Sequence, residues 1–240
     1  MNLPPLGVDE KLPIIKKNRA STGIRDLDII LEGGYLNPGN ILLIGPNGME
    51  KLVLSYHFAQ AGLASRNEQV LIINLDATPA VIKEKASSYD ILLDGEKLSF
   101  IDCYSSTIGH ASSKEVRITA VSGPQALEDI SFAINQEITQ YAGKKLRVIF
   151  YSLSTLLLYN PRDSMLKFLQ VVTGRLRNAE ATVLFLVEEG VHDKPLLSMV
   201  ERIMDEGYSI VNKGGSFEFV VPATGLSIPI KLGSSGITII

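Results

Sequence analysis

NILLIGPNGMEKL, residues 40–52, reads as a buried strand, a tight loop and the opening of a helix. Residues 40–44, apolar after Asn40, form a short run that suits a strand covered on both faces. Residues 52–64 carry on as a helix. Between them, Gly45, Pro46, Asn47, Gly48, Met49, Glu50, Lys51 and Leu52 stand where a phosphate-binding loop, G-x-x-x-x-G-K-[ST], would stand. Gly45 takes the first glycine and Lys51 the lysine. The second glycine is replaced by Glu50 and the hydroxyl residue by Leu52. Such a loop wraps phosphate oxygens with backbone N–H groups at a helix N-terminus. Glu50 adds a Cβ and a negative charge at that place. Two like charges about 4 Å apart repel by about 1 kcal/mol in water and about 4 kcal/mol at an effective dielectric of 20. Leu52 cannot hold the Mg²⁺ that the hydroxyl would hold.

The pattern repeats along the chain on either side of this loop. Apolar runs at 70–75, 98–102, 148–152 and 182–187 read as buried strands. Helical spacing at 81–89, 124–141 and 162–178 falls between them. Apolar strands alternating with amphipathic helices imply an α/β fold with a mostly parallel central sheet flanked by helices. After a further helix at 196–204, short glycine-separated strands at 208–212, 216–221, 228–231 and 237–240 suggest an antiparallel extension at one sheet edge. Residues 1–20, with Pro4, Pro5 and Pro13, read as an extended N-terminal segment, and 21–240 as one domain. Ser21 or Thr22 is the expected N-cap of a helix over IRDLDIIL, which Gly33 and Gly34 end. The run at 153–159 reads as a strand-sized or core piece.

Length and composition narrow the function classes. The chain has 240 residues, 45% of them hydrophobic, enough for one substantial core. A formal charge of -3 gives no global attraction to nucleic acid or anionic lipid. The single cysteine, Cys103, excludes an intrachain disulfide and reads as a small buried hydrophobe. No signal-peptide pattern and no apolar run of membrane-spanning length is present, so the expectation is a cytoplasmic protein with no membrane contact.

A family resemblance rests on several stretches together. Ser21-Thr22-Gly23-Ile24, Leu27-Asp28, the paired glycines, the loop region and Leu75-Asp76-Ala77-Thr78-Pro79 resemble the KaiC-like branch of the RecA superfamily of P-loop ATPases. IDCYSS at 101–106, YSLSTLL at 151–157 and EEGVHD at 188–193 are similar to stretches of its archaeal members. The resemblance covers Ser21 to the C-terminus and implies a RecA-like P-loop NTPase fold. It further implies two adjacent glutamates after the second strand, which activate the attacking water; here those positions carry Asp76 and Ala77. It implies an aspartate at the end of the fourth strand that binds Mg²⁺ through water; here that position carries Tyr151, a neutral phenol at pH 7.

Metal ligation, phosphate approach and water activation are thus altered together. The expectation is a catalytically degenerate protein, a pseudo-ATPase with vestigial Asp76, Ala77 and Tyr151 and no catalytic residue intact. No cofactor is expected: ATP or ADP would bind weakly at most, without Mg²⁺. Protein partners are expected, through self-association or pairing with an active paralog, because relatives of this fold assemble side by side. Two other readings stay open. One is an ATPase with an unusual site, in which Lys51, Asp76 and Glu188 converge on nucleotide. The other is a DNA-repair or recombination accessory protein; its mark would be a basic cluster of Lys16, Lys17, Arg19, Lys144, Lys145 and Arg147.

Plainer readings stand beside these. Lys51 reads as a solvated lysine or one paired with Glu50 or Asp76. Asp76 reads as the cap of the helix beginning near Thr78 and Pro79. Glu188 and Glu189 lie where open α/β sheets place ligands. Glu189, His192 and Asp193 read as a solvated turn rather than a metal site. His57 reads as partly buried on its helix and His110 as exposed. Ser105, Ser106 and Ser152 have no His/Asp pairing, which excludes a serine hydrolase.

Overall fold

The computed structural model describes residues 18–110 and 117–240. The chain enters through a two-residue strand, β1 (Arg19–Ala20), and a short helix, α1 (Arg25–Ile30); β2 (Tyr35–Leu36) returns to pair with β1. The main succession follows: β3 (Gly39–Gly45), α2 (Met49–Ala64), β4 (Glu68–Asn74), α3 (Pro79–Ser87), β5 (Leu98–Asp102), β6 (Ile118–Ala120), α4 (Leu127–Gln140), β7 (Lys145–Tyr151), α5 (Leu153–Tyr159), α6 (Arg162–Asn178), β8 (Thr182–Glu188) and α7 (Lys194–Glu201). Four strands close the chain: β9 (Glu206–Lys213), β10 (Ser216–Val221), β11 (Leu226–Gly233) and β12 (Gly236–Ile239).

Ten of these strands form one sheet in the order β12-β11-β10-β9-β3-β8-β7-β4-β5-β6. Pairings from β9 through β6 are parallel, and those from β9 to β12 antiparallel. This is the RecA-like arrangement expected, with its antiparallel C-terminal extension. Side chains alternate along each strand, so neighbours enter opposite cores. Ile41 and Leu43 of β3 join Leu27, Leu54, Phe58 and Ile82 from α1, α2 and α3. Leu42 joins Ile130, Leu156, Leu169 and Val200 from α4, α5, α6 and α7 on the other face. The antiparallel strands bury Phe219, Ile228, Ile230 and Ile237 in the first core. Among the described residues no helix is long and apolar enough to cross a membrane.

Several local expectations need correction. Neither Ser21 nor Thr22 caps α1, whose N-cap is Ile24 without a side-chain bond. Both residues instead serve Asp28: its carboxylate accepts from Ser21 Oγ at 2.5 Å and from Thr22 N and Oγ1 at 2.6 Å each. Residues 153–159 form the helix α5 rather than a strand piece, because Ser152 turns the chain sharply at the end of β7. The helix expected at 196–204 begins earlier, at Lys194, where Asp193 accepts from Leu196 N at 2.7 Å and Pro195 takes an early helical position.

Candidate functional site

The loop at 45–52 lies where open α/β sheets place ligands, beyond the carboxyl ends of the parallel strands. Strand register brings the relevant ends level: Gly45 of β3 pairs with Glu188 of β8, and Asn74 of β4 with Tyr151 of β7. Backbone bonds hold this rim in place. Glu189 N donates to Gly45 O at 2.8 Å, and Ser154 Oγ, from α5, accepts from Glu188 N at 2.8 Å.

Gly48 is the N-cap of α2, in extended backbone with no side-chain cap. Lys51 folds back so that Nζ donates to Pro46 O at 2.7 Å, and only 8% of the residue is exposed. Burial pushes its pKa down; the carboxylates of Glu188, Asp76 and Glu50, in that order, pull it back up. Lys51, Asp76 and Glu188 therefore share one electrostatic neighbourhood, although they come from the start of α2, the loop after β4 and the end of β8. Lys51 is not the solvated lysine of the plainer reading.

Glu50 is buried, 9% exposed, and its carboxylate turns back over the loop. A Cβ added at Gly48 would collide with Glu50 Oε2. Leu52, on the next turn of α2, packs partly buried against the first core.

At the end of β7, Tyr151 is 2% exposed and its hydroxyl lies 2.8 Å from that of Tyr56 on α2. The two rings stack with centroids 6.2 Å apart and planes 10° from parallel. Burial raises the pKa of both phenols; that of Tyr151 is pushed up to about 12, with the Tyr56 hydrogen bond pulling it down and Asp76 raising it. Both are neutral at pH 7, and neither Leu52 nor Tyr151 offers an anionic oxygen.

Ser152 follows with φ 79° and ψ 80°, a backbone region that non-glycine residues occupy only under constraint. Its Oγ accepts from Thr155 N at 3.3 Å and from Thr155 Oγ1 at 2.9 Å, capping α5. It also hydrogen-bonds Asp76. The Asp76 residue is exposed, yet protein crowded around its carboxyl raises its pKa, against Ser152, Lys85 and Lys51, which lower it. Asp76 caps no helix: that part falls to Thr78, whose Oγ1 accepts from Val81 N at 3.3 Å. Ala77 is buried, and its carbonyl accepts from Asn74 Nδ2 at 2.8 Å.

The remaining candidates disperse. His192 is half-buried near Glu188, with burial lowering its pKa, and its Nε2 has no partner among the described residues. Asp193 caps α7. Among the described residues no three His, Cys, Asp or Glu side chains are grouped to hold a metal. His110 is exposed, and Cys103 is buried with its thiol pushed up to about 12. Arg19 pairs with Glu206 at 2.5 Å and Arg147 with Glu68 at 2.9 Å, so both are engaged within the fold. Lys16 and Lys17 lie outside the described residues.

Sequence reasoning named the loop, Asp76, Ala77, Tyr151 and Glu188 as candidates. It missed Tyr56, Ser152 as a strained link, and Ser154 as a tie between α5 and β8. Tyr56 sits five residues after Lys51 on the same helix, and that spacing to a tyrosine at the end of β7 was the available signal.

A family model described as "ATPase: KaiC" matches residues 20–205. A UPF0273 protein of Methanocaldococcus jannaschii is 26% identical over 163 residues, covering 65% of this chain and 66% of that protein. A UPF0273 protein of Sulfurisphaera tokodaii is 28% identical over 167 residues, covering 67% of this chain and 58% of the relative. Circadian clock oscillator protein KaiC 1 of Synechocystis sp. is 27% identical over 185 residues, 77% of this chain but 33% of the longer protein. The chain thus spans between one third and two thirds of these relatives.

Proposed function

The chain belongs to the KaiC ATPase family, and from that premise we propose that it is a non-hydrolysing member acting as a regulatory or scaffolding partner. One observation carries this reading. The position that would anchor Mg²⁺ through water is Tyr151, whose hydroxyl is spent on Tyr56 at 2.8 Å inside the core. Phosphoryl transfer depends on positioning and on neutralising charge on the phosphate oxygens. Leu52 and the paired phenols supply neither a metal ligand nor a charge at the two positions that would hold Mg²⁺. Ala77 supplies no base, and Asp76 is one methylene shorter than glutamate.

Surface features support the partner role. Phe132 of α4 is 64% exposed, and Leu158 and Tyr159 of α5 are 63% and 64% exposed. Val171 of α6 shares with Phe132 a groove between the two helices. Large apolar side chains gathered on one helical layer suit a protein interface.

A second reading is favoured by one observation, the convergence of Lys51, Asp76 and Glu188. In it the loop binds nucleotide without metal and turns it over slowly. An assay of phosphate release from ATP with Mg²⁺, beside Lys51→Ala, separates the two. The expected rate equals that of the Lys51→Ala protein. Saturable, Mg²⁺-dependent release that disappears in Lys51→Ala would sink the non-hydrolysing reading.

A further inference from the structure

We propose that Glu50 is an internal anion that keeps the phosphate loop closed, and that removing it alone opens the loop to metal-free polyphosphates such as ADP. The proposal rests on the reading above, in which the site has lost turnover, and it names what regulates that site.

The N-terminus of α2, a 16-residue helix, presents unbonded N–H groups and the positive end of the helix dipole. No side chain caps it. Glu50 stands against it: the residue is 9% exposed, and its Oε2 occupies the space a Cβ on Gly48 would need. Among the described residues nothing donates a hydrogen bond to this carboxylate. The carboxylate thus lies over the loop at Gly48, beside the positive end of the helix, without bonding to it. Lys51 itself is turned away, bonded to Pro46 O at 2.7 Å. An incoming phosphate would therefore meet the Glu50 carboxylate over the loop and a lysine already bonded to a backbone carbonyl.

The two engagements differ in how easily they yield. The Lys51–Pro46 bond joins a charge to a neutral carbonyl, and a phosphate oxygen is the stronger acceptor. Glu50 is covalently tethered to the helix it covers, so an entering anion must displace a full charge that cannot diffuse away. Gly48 meets no atom within 4 Å except the Glu50 carboxyl group. At Gly45, by contrast, a Cβ would come within 3.2 Å of Ile210 Cβ, so the start of the loop is held close to β9.

The test is titration of ADP, with EDTA present, into the full chain and into Glu50→Gly, Glu50→Gln and Glu50→Gly/Lys51→Ala. Binding is read by calorimetry and by the thermal midpoint. Glu50→Gly is expected to bind ADP at least about tenfold tighter than the wild type. Glu50→Gln, which keeps the volume and drops the charge, falls between them, and the double variant loses the gain. A folded Glu50→Gly protein with wild-type affinity overturns the proposal, as does a gain that survives Lys51→Ala. If Glu50→Gly does not fold, Glu50→Gln decides alone, a gain supporting the lock and an unchanged affinity overturning it. ATP hydrolysis by the wild type would remove the non-hydrolysing reading while the ADP titration still judges the lock, so the two fail separately.

Discussion

Tyr151 shows how one substitution in a site requires another nearby. A phenol at the end of β7 is longer than a carboxylate, and it enters the first core with its hydroxyl buried. Tyr56 supplies the hydrogen-bond partner and a ring to stack on. Removing one hydroxyl leaves the other buried and unsatisfied, so Tyr151→Phe is expected to lower unfolding stability by about 1–3 kcal/mol. Urea denaturation measures this; a change near zero would mean that water replaces the lost partner. Ser152, the next residue, holds a left-handed backbone between that pair and Asp76. Ser152→Gly is expected to relieve the backbone while losing the α5 cap and the bond to Asp76. Circular dichroism at 222 nm and the thermal midpoint decide which effect is larger; glycine in place of a capping serine costs only about a few tenths of a kcal/mol, so relief of the backbone is expected to prevail and the midpoint to hold or rise. Single letters carried part of this. Glu50, Leu52, Ala77 and Tyr151 stand at positions whose chemistry is known from the loop pattern and the resemblance, so their departures were legible. That Glu50 folds back over Gly48 was not, because a side-chain direction depends on packing that no motif encodes.

Between α2 and β12 a hydrogen bond joins the packing that holds the far edge of the sheet. Ile237 N donates to His57 Nε2 at 3.1 Å, so His57 must be neutral to accept. Gly236 beside it has φ 92°, and a Cβ there would overlap the His57 ring. Gly236→Ala is expected to cost about 1–3 kcal/mol through strain and overlap, read as a lower denaturation midpoint. Burial lowers the His57 pKa below its usual value of about 6.5. The unfolded chain then binds the proton at higher pH than the folded one. The stability from neutral His57 is present above about pH 6.5 and is lost as pH falls from there through the folded pKa. His57→Gln keeps an acceptor that does not titrate. The wild type is therefore expected to lose thermal stability faster than His57→Gln between about pH 7 and pH 5; parallel curves would show that His57 is not the group responsible. Elements such as these were readable where the pattern was long. Helix α6 and strands β5 and β10 match their expected bounds, because apolar periodicity and flanking turns agree there. Strand β6 and the β1–β2 pair are two or three residues each, too short for a period to register. The run LSTLLLY fits a strand-sized or a core piece alike; it packs in the second core as a helix, and only the turn at Ser152 gives it a helical start.

At the scale of the molecule, Arg147 joins parts that the alternating pattern alone leaves separate. It lies on β7, pairs with Glu68 of β4 at 2.9 Å, donates to Ser21 O at 2.6 Å and to Phe58 O of α2 at 3.0 Å, and stacks over the Phe58 ring at 4.7 Å. At 4% exposure it belongs to the interior, which is why a basic residue here does not report on nucleic acid. Arg147→Met is expected to destabilise the domain by about 3–5 kcal/mol by leaving Glu68 without its counter-charge. Adding Glu68→Gln should recover part of that loss; if the double variant is no more stable than the single one, the carbonyl bonds rather than the ion pair hold these parts together. The exposed apolar layer on α4 and α5 makes its own prediction. Phe132→Asp should leave the thermal midpoint nearly unchanged and shift the mass distribution in light scattering toward single chains, whereas an unchanged distribution would exclude this layer from self-association. The sheet order has a consequence in time. Strand β3, which carries the loop, pairs with β8 and β9, and the nearest of these partners begins at Thr182, more than a hundred residues later. A ribosome adding roughly 5–20 residues per second would leave β3 without its sheet neighbours for something like ten to thirty seconds. During that interval an apolar strand waits unpaired in the nascent chain, so the last third of the sequence governs whether the first third folds or aggregates.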